Sequence, residues 1–136
     1  MAIQLVVVTP SGPAFSGAVE SVVLPGVEGE FGVLESHEHF LSALGHGCME
    51  IRTTAGVQLS AVSNGFAEVG AERVVVMVDS VVKAEAIDVE AARSAQEGAA
   101  RDLAALGAGD EHRARRLDLE DALARASALV AVAARR

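Results

Sequence analysis

Up to about Lys83, apolar positions come in short runs that alternate with polar ones, broken every several residues by Gly, Pro, Asn or Ser. A period of two is the pattern of a strand with one face on a core. It places strands at 3–8, 19–24, 48–54, 57–63, 66–69 and 73–78. Val57, Leu59 and Ala61 alternate with Gln58 and Ser60, and Asn64-Gly65 tolerates the positive φ of a tight turn. Segments 57–63 and 66–69 are therefore expected to form a hairpin. With further breaks at Ala55-Gly56 and Gly70-Ala71-Glu72, the stretch 48–78 reads as a four-strand meander. Residues 5–8 and 74–78 are apolar on both faces, which predicts strands covered on two sides, as in a sandwich carrying an added layer.

After Ile87 the vocabulary changes to Ala, Glu, Arg and Leu, and no Pro follows Pro25. Ala92, Ala95, Ala99, Leu103 and Leu106 recur at steps of three and four, with Asp88 placed to cap the first turn. Gly107-Ala108-Gly109 ends that helix, and Asp110 is expected to cap the next. Leu119, Leu123, Ala126, Val130 and Ala133 form the second stripe. Two amphipathic helices with a short link make an antiparallel hairpin. The expected organisation is thus a mainly β protein: an antiparallel β-sandwich over 1–84 followed by two antiparallel α-helices over 85–136. The first stripe is mostly alanine, so each contact buries little, and Gly98 costs about 1 kcal/mol relative to Ala in mid-helix. A helical pair held weakly enough to open is the consequence.

Composition adds limits. In 136 residues, 51% are hydrophobic and 22% charged, which argues for a packed core over disorder. No basic residue precedes the first apolar run and no apolar stretch approaches a membrane span, so neither a signal peptide nor direct membrane insertion is expected. Cys48 is the single cysteine, which excludes an internal disulfide. The net charge of −8 is uneven: residues 1–84 hold nine Asp/Glu against three Lys/Arg, whereas 113–136 hold six Arg against three acids. An acidic body repels nucleic acid, and the basic end lacks stacking aromatics. An acidic protein partner suits that end better.

No constellation for catalysis emerges. Glu35-Ser36-His37-Glu38-His39 is the densest polar cluster, but no second His/Cys group supplies further ligands, so no metal is expected. Ser36 beside His37 lacks an oxyanion-forming motif, and adjacent strand residues point apart. Gly26, Gly29 and Gly32 match no phosphate-binding pattern and read as turn glycines. Cys48 reads as a small apolar strand residue, and His46 and His112 as solvated. Arg113 and Arg116 share a helical face with Arg115 to the side, a solvated face or a docking site for carboxylates.

The run Val22-Val23-Leu24-Pro25-Gly26-Val27-Glu28-Gly29-Glu30-Phe31-Gly32-Val33-Leu34 closely resembles the signature of the epsilon subunit of bacterial F-type ATP synthase, counterpart of the mitochondrial delta subunit. Thr9-Pro10, Phe15-Ser16-Gly17, Ser63-Asn64-Gly65-Phe66-Ala67-Glu68-Val69 and Ile87-Asp88 stand in the same order and spacing as in that family, so the resemblance covers essentially the whole chain. Beyond the signature the family's Pro-Gly-His-Ala-Pro-Leu is replaced by Glu35-Ser36-His37-Glu38-His39-Phe40, which keeps His37 and loses both prolines.

The resemblance implies a ten-strand sandwich bound to the gamma subunit and the c-ring, and a non-catalytic central-stalk subunit that couples rotation to ATP synthesis. Glu30, Phe31 and His37 match the positions that approach the c-ring. It further implies a helical tail that restrains ATP hydrolysis by meeting the alpha and beta subunits, with Arg113, Arg115, Arg116 and Arg125 as contact residues. The location implied is peripheral, on the cytoplasmic face of the bacterial plasma membrane. Some relatives bind ATP through I/L-D-x-x-R-A; the matching positions are Ile87, Asp88 and Ala92, but Ala91 stands where Arg is required and Arg93 points about 200° away. No cofactor is expected, and ATP as a regulatory ligand is disfavoured. A free nucleotide sensor, a generic sandwich adaptor with a helical arm, and an enzyme are the competing readings.

Overall fold

The computed structural model describes residues 2–34 and 39–136. Ten strands precede two helices: β1 Ile3–Thr9, β2 Gly12–Val19, β3 Ser21–Gly26, β4 Gly29–Val33, β5 Phe40–Leu44, β6 Gly47–Thr53, β7 Gly56–Val62, β8 Gly65–Val69, β9 Arg73–Val78, β10 Val81–Lys83, α1 Val89–Ala105 and α2 Arg113–Arg135. Strand order divides them into two layers. The first runs β10-β7-β6-β3 with β4 on the far edge of β3, and the second runs β5-β8-β9-β1-β2. A single bridge, Gly26 to Leu44, links the layers. All pairings are antiparallel except β1 with β9.

Alternation puts one face of each layer inward. Ile3, Leu5, Val7, Val74, Val76 and Val78 from the second layer meet Val22, Leu24, Met49, Ile51 and Val62 from the first, in one buried cluster. The sandwich with a helical pair agrees with the sequence expectation, but the pairing does not follow it throughout. Val62 pairs with Gly47 and Val81, whereas Gly65 pairs with Leu44 and Val78. The segments 57–63 and 66–69 therefore belong to different layers and form no hairpin. Asn64 lies where the chain crosses from one layer to the other, a passage secured by Ser63 N–H to Ser80 O (3.1 Å) and Ser80 N–H to Ser63 Oγ (2.8 Å). The meander splits into the hairpins β6–β7 and β8–β9. At Gly65 an added Cβ would lie 1.9 Å from Met77 O, so β8 can approach β9 only with glycine there.

The helices form the third layer, on the first sheet only. Outward-facing Cys48, Leu59, Ala61 and Val82 pack with Ala84, Ile87, Leu129, Val132 and Ala133 in a satellite cluster separate from the main core. Asp88 caps α1, accepting from Ala91 N at 3.1 Å. Asp110 does not cap α2: it opens a 3-10 turn, Asp110–His112, whose preceding residue Gly109 offers no side-chain bond. Instead Arg116 Nη2 donates to Gly107 O at 3.0 Å and fixes the link. The first stripe shifts too, with Ala95 exposed and Gln96 facing α2, donating to Ser127 Oγ at 3.1 Å.

The strands read as covered on two sides are not. The second sheet turns Val6, Val8, Ala43, Phe66, Val75 and Met77 outward, and no element among the described residues lies over them; Phe66 is 53% exposed and Met77 45%. The added layer lies on the opposite sheet.

Candidate functional site

Pairing brings the bare residues together. Val6 stands beside Val75 and Val8 beside Met77 across the parallel β1–β9 pair. Phe66 stands opposite Met77 and Ala43. The result is an apolar strip across four strands, ending in a groove of about 670 Å³ lined by Val8, Pro10, Asn64, Phe66, Met77 and Asp79. Large exposed apolar patches on a folded chain mark interaction sites. The sequence carried this signal, since both faces of 5–8 and 74–78 are apolar.

The β3–β4 hairpin forms one end of the sandwich. Its turn needs glycine twice: Gly29 has φ +134°, and a Cβ on Gly26 would lie 2.7 Å from Gly29 O. Glu30 is exposed there. Phe31 is half-buried and meets Phe40 edge to face, with ring centroids 5.7 Å apart, so it supports the hairpin as well as presenting an edge. Val27, Leu34 and Leu41 are exposed nearby. His37, and the Glu35, Ser36 and Glu38 beside it, lie outside the described residues.

The four arginines named from the sequence occupy different settings. Arg113 is exposed, Arg115 stands 4.0 Å from Asp102, and Arg116 holds the interhelical link. Arg125, roughly 18 Å further along the helix, faces the sandwich and donates from Nη1 to Ser80 Oγ at 3.1 Å. The first three cluster at the hairpin's turn; Arg125 does not join them. Ile87 and Ala92 are buried, and the Asp88 carboxylate is engaged in its cap.

Sequence reasoning placed His46 in solvent, yet its side chain is only 7% exposed and its Nε2 donates to Asp121 Oδ1 at 2.7 Å. The signal was beyond reach because the partner lies 75 residues away. At the other end of α2, Arg135 donates to Cys48 Sγ (3.1 Å) and Glu50 Oε1 (3.0 Å), and Arg136 to the carbonyls of Ala84 (2.8 Å) and Ile87 (3.1 Å). Burial beneath α2 pushes the Cys48 thiol pKa up, partly offset by the Arg135 cation. Among the described residues no group of three or more His, Cys, Asp or Glu could hold a metal ion. No helix among them is long and apolar enough to cross a membrane.

Residues 2–84 match the family described as ATP synthase, Delta/Epsilon chain, beta-sandwich domain. The chain belongs to that family. Among curated relatives, the ATP synthase epsilon chain of Nitratidesulfovibrio vulgaris (strain DP4) is 41% identical over 123 residues, covering 90% of this chain and 92% of the relative. The ATP synthase epsilon chain of Helicobacter acinonychis (strain Sheeba) is 45% identical over 80 residues, 59% of this chain and 65% of that one. Among solved structures, a chain of the Euglena gracilis mitochondrial ATP synthase, OSCP/F1/c-ring in rotational state 1, superposes with a TM-score of 0.82 at 27% identity. It covers 96% of this chain and 80% of its own. This epsilon-family chain thus shares sandwich and helices together with that relative.

Proposed function

We propose that the chain is the non-catalytic central-stalk subunit of an F-type proton-translocating ATP synthase. In this reading the sandwich joins the gamma subunit to the c-ring and the helical pair restrains ATP hydrolysis. The observation that carries it is the outward-facing apolar strip of exposed Phe66 and Met77 with half-buried Val6, Val8 and Val75, in a member of the epsilon family. Apolar side chains of this size each gain about 1.5–3 kcal/mol on full burial, and a rotating stalk needs one firm, non-directional grip. The gamma subunit is the partner assigned to that strip. The β3–β4 hairpin, with exposed Glu30 and the edge of Phe31, is assigned to the c-ring, where a carboxylate makes charge-assisted bonds to donors; His37, outside the described residues, is assigned to the same partner from the resemblance alone.

Arg113, Arg115 and Arg116 at the free end of the helical pair are assigned to acidic surfaces of the alpha and beta subunits. Arg125 becomes available to them only if α2 leaves the sandwich, because Ser80 holds it now. The reading includes no active site, metal or cofactor of the chain's own. At Ile87, Asp88 and Ala92, Ala91 offers no cation for a phosphate and Asp88 is already bonded, so ATP is left out. The location is the cytoplasmic face of the bacterial plasma membrane, held through the complex.

The test is ATP hydrolysis by the matching catalytic head lacking its own epsilon subunit, titrated with the full chain and with a chain ending at Ala84. Saturable inhibition by the full chain, and binding without inhibition by the shorter one, is expected. Failure of both to bind would overturn the reading; binding of both without inhibition would remove the restraining role and leave the coupling one.

A further inference from the structure

The face that α2 turns to the sandwich is apolar only in its middle. Asp121, Arg125, Ala128, Val132 and Arg135 recur at steps of four and three, which sets them along one side of the helix. Ala128 and Val132 are buried. The polar positions at the two ends are made to different standards.

Towards Arg135 the contacts are complete. Its guanidinium has the Glu50 carboxylate, and Arg136 meets two carbonyls of the segment that leads into α1. Chain connection and side-chain anchorage therefore coincide at one end of the helical pair. Towards Asp121 they are incomplete. An ionised Asp121 accepts, which assigns the proton of His46 to Nε2. The ring's other nitrogen, Nδ1, is buried with no partner among the described residues. Arg125, half-buried, has a neutral hydroxyl as its acceptor and no described carboxylate within ion-pair reach. Buried polar groups left unmatched weigh against the state that buries them.

We propose that the His46–Asp121 and Arg125–Ser80 pairs form a breakable catch. They fix the register in which α2 docks on β6 and β7, at a strength lowered by the unmatched Nδ1 of His46 and by the neutral acceptor of Arg125, so that the helical pair lifts from this end while Arg135 and Arg136 still hold the other. The catch rests on the reading of the helical pair as the moving part of the protein, and it is independent of what that pair meets once released.

Hydrogen exchange of the isolated full-length chain, followed by mass spectrometry along α2, tests it. Short helices outside a tertiary setting are marginal, so exchange in α2 reports undocking. Asp121→Ala leaves both imidazole nitrogens without a protein partner, and residues 119–126 are expected to exchange roughly tenfold faster while the β-strand amides are unchanged. His46→Leu combined with Asp121→Leu removes both polar partners and is expected to exchange no faster than the native chain, because a matched apolar replacement is neutral or stabilising. Exposed Asp118→Ala serves as control and should change nothing. An unchanged rate in Asp121→Ala, a double variant as fast as the single one, or earlier opening at 129–135 than at 119–126 would overturn the catch. If α2 of the native chain exchanges only together with the sandwich, the reading of a moving helical pair fails instead.

Discussion

Val132→Ala separates the hold of the helices on the sandwich from the stability of the sandwich itself. Val132 is 1% exposed and lies in the satellite cluster with Ala61, Ala84, Ile87 and Ala133, away from the main core. The substitution deletes two buried methyl groups at about 0.8 kcal/mol each, and the small space left behind brings the loss to about 2 kcal/mol. Alanine is the better helix former, but that gain applies to docked and undocked helix alike and cancels. A loss of about 2 kcal/mol raises the undocked population about 30-fold. Cys48 reports it directly. It is the single cysteine, it packs in the same cluster, and Arg135 lies over its sulfur. The rate of reaction with a bulky thiol reagent, too large to reach Cys48 beneath α2, should rise about 30-fold in Val132→Ala, with the thermal midpoint of the sandwich little changed. Leu24→Ala, in the core between the sheets, should lower that midpoint by the equivalent of about 2–5 kcal/mol. A labelling rate within threefold of native, or a loss of sandwich stability matching that of Leu24→Ala, would refute the separation of the two cores.

Three further outcomes follow from individual contacts. Gly65→Ala drives a methyl against Met77 O, so β8 and β9 must part, and thermal unfolding should show a loss of several kcal/mol. Asp88→Ala removes the α1 cap and should cost about 1 kcal/mol, visible as reduced helical circular dichroism, whereas Asp88→Asn should retain most of it. Burial holds the Cys48 pKa above the ordinary thiol value, so docking favours the protonated thiol. That contribution is fully present below the ordinary thiol pKa and is lost as pH rises through the raised one. Labelling of the full chain should therefore accelerate with pH over a range displaced upward from that of the chain ending at Ala84.

The sequence made the faces of the strands legible better than their neighbours. Apolar runs at 3–8 and 73–78 and alternation at 48–54 marked strands that line the core, and the collinear motifs carried the family. Pairing was another matter. Val57 to Ala61 followed by Asn64-Gly65 suits a hairpin and suits equally a strand that ends where the chain changes layer, because both need an alternating run and a permissive break. What decides is the fit of Gly65 against Met77, which is non-local. β2 escaped notice because Gly12, Ser16 and Gly17 dilute its alternation, and the parallel β1–β9 pair joins residues about 70 apart. Double-sided hydrophobicity at 5–8 and 74–78 was read as cover by an added layer of this chain, and that reading fails, because the pattern carries no information on what does the covering. Within this chain the helices meet the other sheet, and cover for this face is left to a partner. The His46–Asp121 and Arg135–Glu50 pairs span 75 and 85 residues; no local pattern announces them.

Association of the isolated full-length chain with the matching gamma subunit, measured by titration calorimetry, tests the stalk assignment most directly. The native chain is expected to bind saturably with one site. The double variant Phe66→Lys, Met77→Glu, which places an opposite-charge cross-strand pair on the exposed strip without touching the buried face, should lose at least a hundredfold in affinity while melting close to the native temperature. No binding by the native chain, or equal binding by the variant, would contradict the assignment of that strip to the stalk.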